Sequence, residues 1–136
     1  TAIAQYLGAK YAPHLIRGPV HPDCALYVPW LLYAEGMIRP PIANNVVETI
    51  LLPPERRNPE MAARALKVLN RTLEAAEAHM AGREYIAGDF TVADTITGHA
   101  VIMSRRMGAD FGNFPNLGVY ADRLEARPAF RAAEAA

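Results

Sequence analysis

Two aromatic side chains and a thioether recur along one predicted helix near the start of the chain. Trp30, Tyr33 and Met37 are three and four residues apart, the spacing that places side chains on one helical face. Such a face could line an apolar cavity with a hydroxyl at its edge, which is the usual composition of a site for a hydrophobic small molecule. The same spacing is also typical of core packing or of a subunit contact, so both interpretations stay open.

Histidine and cysteine, which often serve in acid-base or metal chemistry, are rare in this chain, with four and one residues. His99 lies beside the apolar row of a later helix and titrates near neutral pH, yet we expect a hydrogen-bonded core histidine there. His14 and His21 fall in a proline-rich segment, where a surface position is expected. The single cysteine, Cys24, cannot form an internal disulfide and is predicted to pack as a small buried side chain. Because no Cys and His residues cluster with ligand spacing, no metal site is predicted.

Thr91 and Asp94 have the spacing of a helix-capping box, which is a structural motif and not a catalytic pair. In a capping box the Thr hydroxyl accepts from the amide three residues on, and the carboxylate accepts from the amide of the cap residue. We therefore predict a structural role for both residues, with a helix starting at Thr91. Arg105 and Arg106 end that helix, where cations complement its dipole.

Helical periodicity runs through most of the chain, so the sequence predicts an all-α fold that carries these side chains. No segment alternates polar and apolar residues for long enough to be a convincing strand. Prolines and glycines divide the pattern, and Pro40 and Pro41 are predicted to end or kink the second helix. The strongest prediction is a long helix that Asn58 caps and Gly82 ends. The predicted helices cover 1–11, 24–39, 42–52, 58–82, 91–108, a segment from 115 onward, and 128–131.

The second predicted helix has apolar residues on more than one side. Beside the row that holds Trp30, a second row is formed by Tyr27, Leu31, Ala34 and Ile38. A helix with so little polar surface must be covered by its own bundle and by something else, such as a partner subunit or a ligand.

Composition and charge exclude several classes of protein. At 136 residues the chain has room for one domain with a real core, and 51% apolar with 21% charged residues is ordinary for a globular protein. The 14 basic and 14 acidic residues are interspersed, so no basic stripe for nucleic acid is present. No apolar run approaches the roughly 20 residues that cross a bilayer, and no signal peptide is evident, so a cytoplasmic location is the default expectation.

Several short motifs occur in the order in which they stand in one known family. They are YIAGDFTVAD at 85–94, FPNL at 114–117, Tyr120, Arg123 and RPAF at 127–130. This ordered set closely resembles the C-terminal domain of glutathione S-transferases. The segment WLLYAEG at 30–36, with Pro40 and Pro41, is similar to the first long helix of that domain in bacterial and fungal members. TAIAQYL at 1–7 resembles the last helix of the family's thioredoxin-like N-terminal domain.

The resemblance implies a division of the chain and a place for its chemistry. Residues 1–13 would be the last helix of the thioredoxin-like domain, residues 14–23 a linker, and residues 24–136 the helical C-terminal bundle. In the family, the residue that activates the glutathione thiol and the Glu-Ser pair that holds the γ-glutamyl group lie before the position of Thr1. No catalytic residue is therefore expected in this chain, which should be inactive alone.

The function that the resemblance implies is that of the intact parent protein. Glutathione would be the cosubstrate, without a metal, and its thiolate would attack a hydrophobic electrophile in a detoxification reaction. This chain would supply the pocket wall, from Trp30, Tyr33 and Met37, and the surface of a homodimer. Two alternatives stay open: a non-catalytic interaction module, as in translation elongation factor gamma subunits, or a glutathione-dependent reductase or isomerase of the same fold.

Overall fold

Helices form most of the computed structural model, which describes residues 1–136. The regular helices are α1 (Ala2–Tyr11), α2 (Cys24–Tyr33), α3 (Arg39–Val46), α4 (Pro59–Met80), α5 (His99–Arg106), α6 (Pro115–Glu125) and α7 (Pro128–Glu134). Extended backbone pairs only in two isolated bridges, Tyr85 with Gly88 and Ala87 with Asp89. The all-α prediction is confirmed.

The first long helix, residues 24–51, runs through two wider turns instead of ending at its prolines. α2 passes into a π-type turn at Ala34–Ile38, α3 follows, and a second such turn at Val47–Leu51 ends the helix. Of the two outcomes predicted for Pro40 and Pro41, an end or a kink of the helix, the end is wrong because the helix continues through both prolines. Both prolines stand in the first turn of α3, directly after the wider turn, so the two N–H groups that they lack are missing at the junction of the two helix types and not from the interior of a regular α-helix.

α4 is the long helix that the sequence predicts after Asn58. The Asn58 side-chain oxygen accepts from the amides of Glu60 at 3.0 Å and Met61 at 3.2 Å, and Pro59 is the first helical residue. Met61 and Val68, two members of the predicted apolar row, are each 48% exposed. The remaining members are buried: Ala65, Leu69, Thr72, Leu73, Ala76 and Met80.

The central helix, residues 92–106, consists of a first turn, a π-type turn at Asp94–Gly98, and α5. It begins directly after Thr91, and Gly108 follows its end with a φ of +88°, a left-handed conformation that favours glycine. The hydrophobic core is built around this helix. The largest buried side chains that surround it are Tyr27, Leu31 and Ile38 from the first long helix, Leu69 and Leu73 from α4, and Leu117 and Tyr120 from α6.

The C-terminal helices begin at the predicted prolines and are tied to the central helix by ion pairs. α7 continues past Arg131, its predicted end, to Glu134. Arg105 binds the carboxylates of Asp122, at 2.7 Å, and of Glu125. Arg106 reaches Glu125 at 3.0 Å and Glu134 at 2.5 Å. The two arginines therefore connect α5 to both α6 and α7, in addition to standing at a helix end.

α1 packs onto this bundle through its smallest residue. Gly8 is the only buried residue of α1, and a Cβ added there would lie 2.8 Å from a methyl carbon of Val92. Because α1 approaches the bundle so closely at Gly8, its larger side chains project away from the contact. These exposed apolar side chains are Ile3, Tyr6, Leu7 and Tyr11.

Candidate functional site

Asp94 is a buried hub that joins the central helix to the preceding turn and to α6. The residue is 1% exposed, and its carboxylate accepts from the amides of Ile86 at 2.9 Å and Thr91 at 2.8 Å. The hydroxyls of Tyr120, at 2.8 Å, and Thr91, at 3.1 Å, also donate to it. In this arrangement the Thr91 hydroxyl donates to the carboxylate, whereas the capping-box pattern predicts that it accepts from the Asp94 amide. An ionised carboxylate is the stronger partner for a buried hydroxyl.

The hydrogen bonds around Asp94 indicate that its carboxylate holds neighbouring segments in place and does not transfer protons. Burial raises the pKa of Asp94, and the four hydrogen bonds lower it only in part. The pKa of Tyr120 lies well above its ordinary value because of burial first and the neighbouring carboxylate second. Since all four donors belong to the fold, the carboxylate fixes the turn that holds Ile86 and Thr91 against α6.

Trp30, Tyr33 and His79 form an aromatic cluster between the first long helix and α4. The Trp30 ring centroid lies 4.7 Å from that of Tyr33 and 4.2 Å from that of His79. The Tyr33 hydroxyl donates to the backbone oxygen of Thr72 at 2.9 Å, and burial raises the pKa of Tyr33, which keeps this hydroxyl protonated. Two of the three predicted wall residues are therefore in contact and are held by α4.

Met37, the third predicted wall residue, is not part of this cluster. It lies in the π-type turn Ala34–Ile38 and is 50% exposed. The side of the first long helix that faces the core carries the second predicted row instead: Tyr27, Leu31, Ala34 and Ile38. The structure thus brings Trp30 and Tyr33 together and leaves Met37 at the surface, and their role as a substrate wall stays a prediction.

His79 is a residue that the sequence analysis does not single out. Its Nε2 lies 2.8 Å from the backbone oxygen of Ile86, so Nε2 carries the proton and donates it. Burial lowers the pKa of His79, and the cation of Arg83 lowers it further. His79 stands three residues after Ala76 and directly before Met80, at the edge of the buried row of α4. That spacing is the signal that could have indicated a packed histidine.

Acid is expected to destabilise the protein through His79. Because the pKa of the buried ring is depressed, the unfolded chain binds a proton more readily than the folded chain below the ordinary value of 6.5. The stability that the neutral His79 ring contributes is therefore fully present above pH 6.5. It is lost as the pH falls from there through the depressed pKa of the folded chain. In urea titrations between pH 8 and pH 5, His79→Gln should lose less stability than the native chain. The matched variant His14→Gln, at an exposed position between α1 and α2, should keep the native pH dependence of stability. An equal pH dependence of the free energy of unfolding in all three proteins would contradict this role of His79.

A cavity lies away from the aromatic cluster, between the central helix, the end of α6, and α7. Its volume is about 560 Å³, and none of Trp30, Tyr33 and Met37 lines it. Its apolar lining residues are Leu15, Phe90, Ile102, Leu124, Ala129, Phe130 and Ala133. Its polar lining residues are Asp94, Thr95, His99, Arg127 and Glu134.

The expectation that His99 is a hydrogen-bonded core residue is wrong. Its side chain is exposed at the rim of this cavity and makes no hydrogen bond within the chain. The apolar row of the central helix turns away from His99 because the π-type turn at Asp94–Gly98 shifts the residues that follow it around the helix axis. Partial burial lowers the pKa of His99, and the cations of Arg39 and Arg106 act in the same direction.

No group of three or more His, Cys, Asp or Glu side chains is placed to hold a metal ion. Cys24 is free and half-buried at the start of α2. None of the helices combines the length and the apolar character that crossing a membrane requires.

Comparison with known proteins identifies a family for most of these helices. The family model described as "Glutathione S-transferase, C-terminal domain" matches residues 39–128. The chain is 28% identical over 133 residues to glutathione S-transferase 4 of Zea mays, an alignment that covers 94% of this chain. It spans only 60% of that relative's length.

Solved structures share the fold over nearly the whole chain. A theta class glutathione S-transferase from the citrus canker pathogen Xanthomonas axonopodis pv. citri, with glutathione bound, superposes with a TM-score of 0.85 at 26% identity, over 96% of this chain and 69% of that one. Ure2p5 from Phanerochaete chrysosporium, cocrystallised with 1-(S-glutathionyl)-2,4-dinitrobenzene, gives a TM-score of 0.85 at 25% identity, over 98% of this chain and 64% of that one. The fold of the described helices is therefore that of the matched domain.

Proposed function

Because this chain belongs to the glutathione S-transferase family through its C-terminal domain, we propose that it is the helical part of an enzyme that conjugates glutathione to hydrophobic electrophiles. The observation that carries the proposal is the family match over residues 39–128, which spans part of the first long helix, all of α4 and the central helix. The glutathione and the glutathionyl-dinitrobenzene in two structural relatives support glutathione as the cosubstrate. The reaction would join the glutathione sulfur to an electrophilic carbon.

The thiol-activating chemistry is assigned to residues outside this chain. A free thiol has a pKa of about 8.5, so forming the thiolate near neutral pH needs a donor or a positive charge at the sulfur. The buried Asp94 carboxylate and the hydroxyls of Tyr120 and Thr91 that donate to it are occupied by hydrogen bonds of the fold. Residues 1–13 would then be the last helix of a thioredoxin-like domain, residues 14–23 its linker, and residues 24–136 the helical domain.

The exposed side of α1 supports this division of the chain. Ile3 is 77% exposed and Tyr6 is 62% exposed, on a helix that buries only Gly8 against the bundle. Large apolar side chains at this exposure on consecutive turns are typical of a surface that another element covers. In the proposed enzyme that element is the remainder of the thioredoxin-like domain.

Two further surfaces receive roles in the proposed enzyme. The half-exposed Met37, together with Trp30 and Tyr33, would form the wall of the pocket for the hydrophobic substrate. At the other end of the first long helix, Ile50 and Leu51 are 56% and 68% exposed beside α4. Together with the exposed Met61 and Val68 of α4 they would form the subunit contact of a homodimer.

The proposed activity is tested by the conjugation of glutathione to 1-chloro-2,4-dinitrobenzene. The assay compares the longest natural polypeptide that contains this chain with the 136-residue chain alone. The longer polypeptide should form the dinitrophenyl conjugate in a glutathione-dependent reaction, and the chain alone should not exceed the uncatalysed rate. A longer polypeptide that conjugates neither this nor any other electrophile, and that does not reduce or isomerise glutathione adducts, would favour the non-catalytic interaction module.

A further inference from the structure

Thr97 donates a hydrogen bond from the central helix to the first long helix. The residue is fully buried, and its hydroxyl oxygen lies 2.5 Å from the backbone oxygen of Trp30. The other hydroxyls within helices donate to a backbone oxygen three or four positions earlier on their own helix, a common local arrangement. They belong to Thr49, Thr72, Thr95 and Ser104. Thr97 is therefore the one helical hydroxyl that binds a different helix.

The π-type turn at Asp94–Gly98 places Thr97 for this bond. The turn packs against α2 and against α6. At its α6 side the backbone of Gly98 lies so close to Leu124 and Tyr120 that an added Cβ would clash with both. The central helix is thus held against α6 at Gly98 and against α2 at Thr97.

The ring of Trp30 is connected to the same helix by a second route. Its centroid lies 4.2 Å from that of His79, whose Nε2 donates to the backbone oxygen of Ile86 at 2.8 Å. The amide of Ile86 in turn donates to the carboxylate of Asp94 at 2.9 Å, three residues before Thr97. The central helix therefore holds the backbone of Trp30 directly and its ring through two intermediate residues.

Trp30 is half-buried, so part of its side chain is free to contact a ligand. Tyr33 beside it is fixed by its own bond to the backbone oxygen of Thr72. Side chains that shape a site have to be held to within roughly 0.5 Å by the packing and hydrogen bonds behind them. Since its ring neighbours are fixed, the position of Trp30 depends on how its backbone is held.

We propose that Thr97 is a positioning residue for the hydrophobic substrate, because its hydroxyl sets the place of Trp30 in the wall of the pocket without touching the substrate. This role rests on the proposed function, in which Trp30 belongs to that wall. A methyl group at the place of the hydroxyl could not stay 2.5 Å from the Trp30 oxygen, since carbon contacts lie at about 3.5–4.0 Å. Removal of the hydroxyl therefore moves the backbone of Trp30.

The fluorescence of Trp30, the single tryptophan of the 136-residue chain, tests the positioning without any need for activity. Thr97→Val keeps the shape of the side chain and removes the hydroxyl, so the chain should fold while acrylamide quenches Trp30 about twofold faster or more. Thr97→Ser keeps the hydroxyl and should retain native quenching. Ser104→Ala, which removes a buried hydroxyl that donates within the same helix, should also be quenched like the native chain. A folded Thr97→Val that is quenched no faster than the native chain would overturn the proposal.

The kinetic test uses the longest natural polypeptide that contains this chain, with 1-chloro-2,4-dinitrobenzene as the electrophile. Thr97→Val should raise the KM for the electrophile about two- to tenfold, the effect of one lost hydrogen bond on an equilibrium. The KM for glutathione and kcat should stay within about twofold of native, because only the binding of the hydrophobic substrate is weakened. Thr97→Ser should restore the native KM for the electrophile, and Ser104→Ala should not change it.

Two kinetic results would contradict the role of Thr97. Equal changes in the KM values for both substrates would indicate a general loss of structure, and an unchanged KM for the electrophile despite faster quenching would show that the place of Trp30 does not matter to the substrate. A native polypeptide without conjugating activity is a different result, since it would refute the proposed function. The quenching of Trp30 would then alone decide whether Thr97 positions this residue.

Discussion

Replacement of Asp94 by alanine is expected to lower the free energy of unfolding by about 3–5 kcal/mol, the cost typical of removing one member of a buried polar network. The change leaves the amides of Ile86 and Thr91 and the Tyr120 hydroxyl without an acceptor in the core. Each unsatisfied buried donor costs about 1–3 kcal/mol, although relaxation and entering water recover part of the sum. Urea denaturation followed by circular dichroism measures the loss.

Asparagine at position 94 should not rescue the protein. Each carboxylate oxygen accepts from one backbone amide and one hydroxyl, so an Asn side chain would turn its NH₂ group toward an N–H donor in either orientation. The matched variant Asp122→Asn loses only a surface ion pair with Arg105 and should change stability by less than about 0.5 kcal/mol. If Asp94→Asn unfolds at the same urea concentration as Asp122→Asn, the hub is not a major source of stability.

The second large effect is expected at Gly98, where the central helix contacts α6. A Cβ at this position would lie 2.2 Å from a methyl carbon of Leu124 and 2.9 Å from the Tyr120 hydroxyl oxygen. Because Tyr120 donates to Asp94, any shift that relieves the clash also disturbs the hub. Gly98→Ala should therefore destabilise the chain by about 3 kcal/mol, at the upper end of the usual cost of overpacking.

Gly118 in α6 provides the control for this substitution. A Cβ added there would meet no atom within 4 Å, so Gly118→Ala should raise stability by about 0.5–1 kcal/mol through helix propensity alone. Thermal unfolding of the two variants should give shifts of opposite sign. A Gly98→Ala variant as stable as the native chain would mean that α6 can move away from the central helix at no cost.

Local sequence signals predict the parts of this fold that depend on neighbouring residues. Asn58 with Pro59 predicts the start of α4 because the cap needs only the amides two and three residues on. The bond from the Thr91 amide to Asp94 spans three residues, and the stop at Gly108 depends on that residue's own φ. Signals that span only two or three residues can be identified in a single sequence.

Features that depend on distant residues could not be predicted. Asp94 also binds Tyr120, 26 positions away, and no spacing rule connects the two. The exposure of His99 depends on a π-type turn, which has no reliable sequence signal, and the same holds for the passage of the first long helix through Pro40. The cavity between the central helix and α7 depends on the contacts of Arg127 with Phe90 and of Arg106 with Glu134, which join residues far apart in the sequence.

Retention on glutathione-agarose tests most directly whether this chain shapes the enzyme while the chemistry at the thiol lies elsewhere. The 136-residue chain, folded by circular dichroism, should pass through the column. The longest natural polypeptide that contains it should be retained and should elute with free glutathione. Specific retention of the chain alone, with elution by free glutathione, would contradict this division.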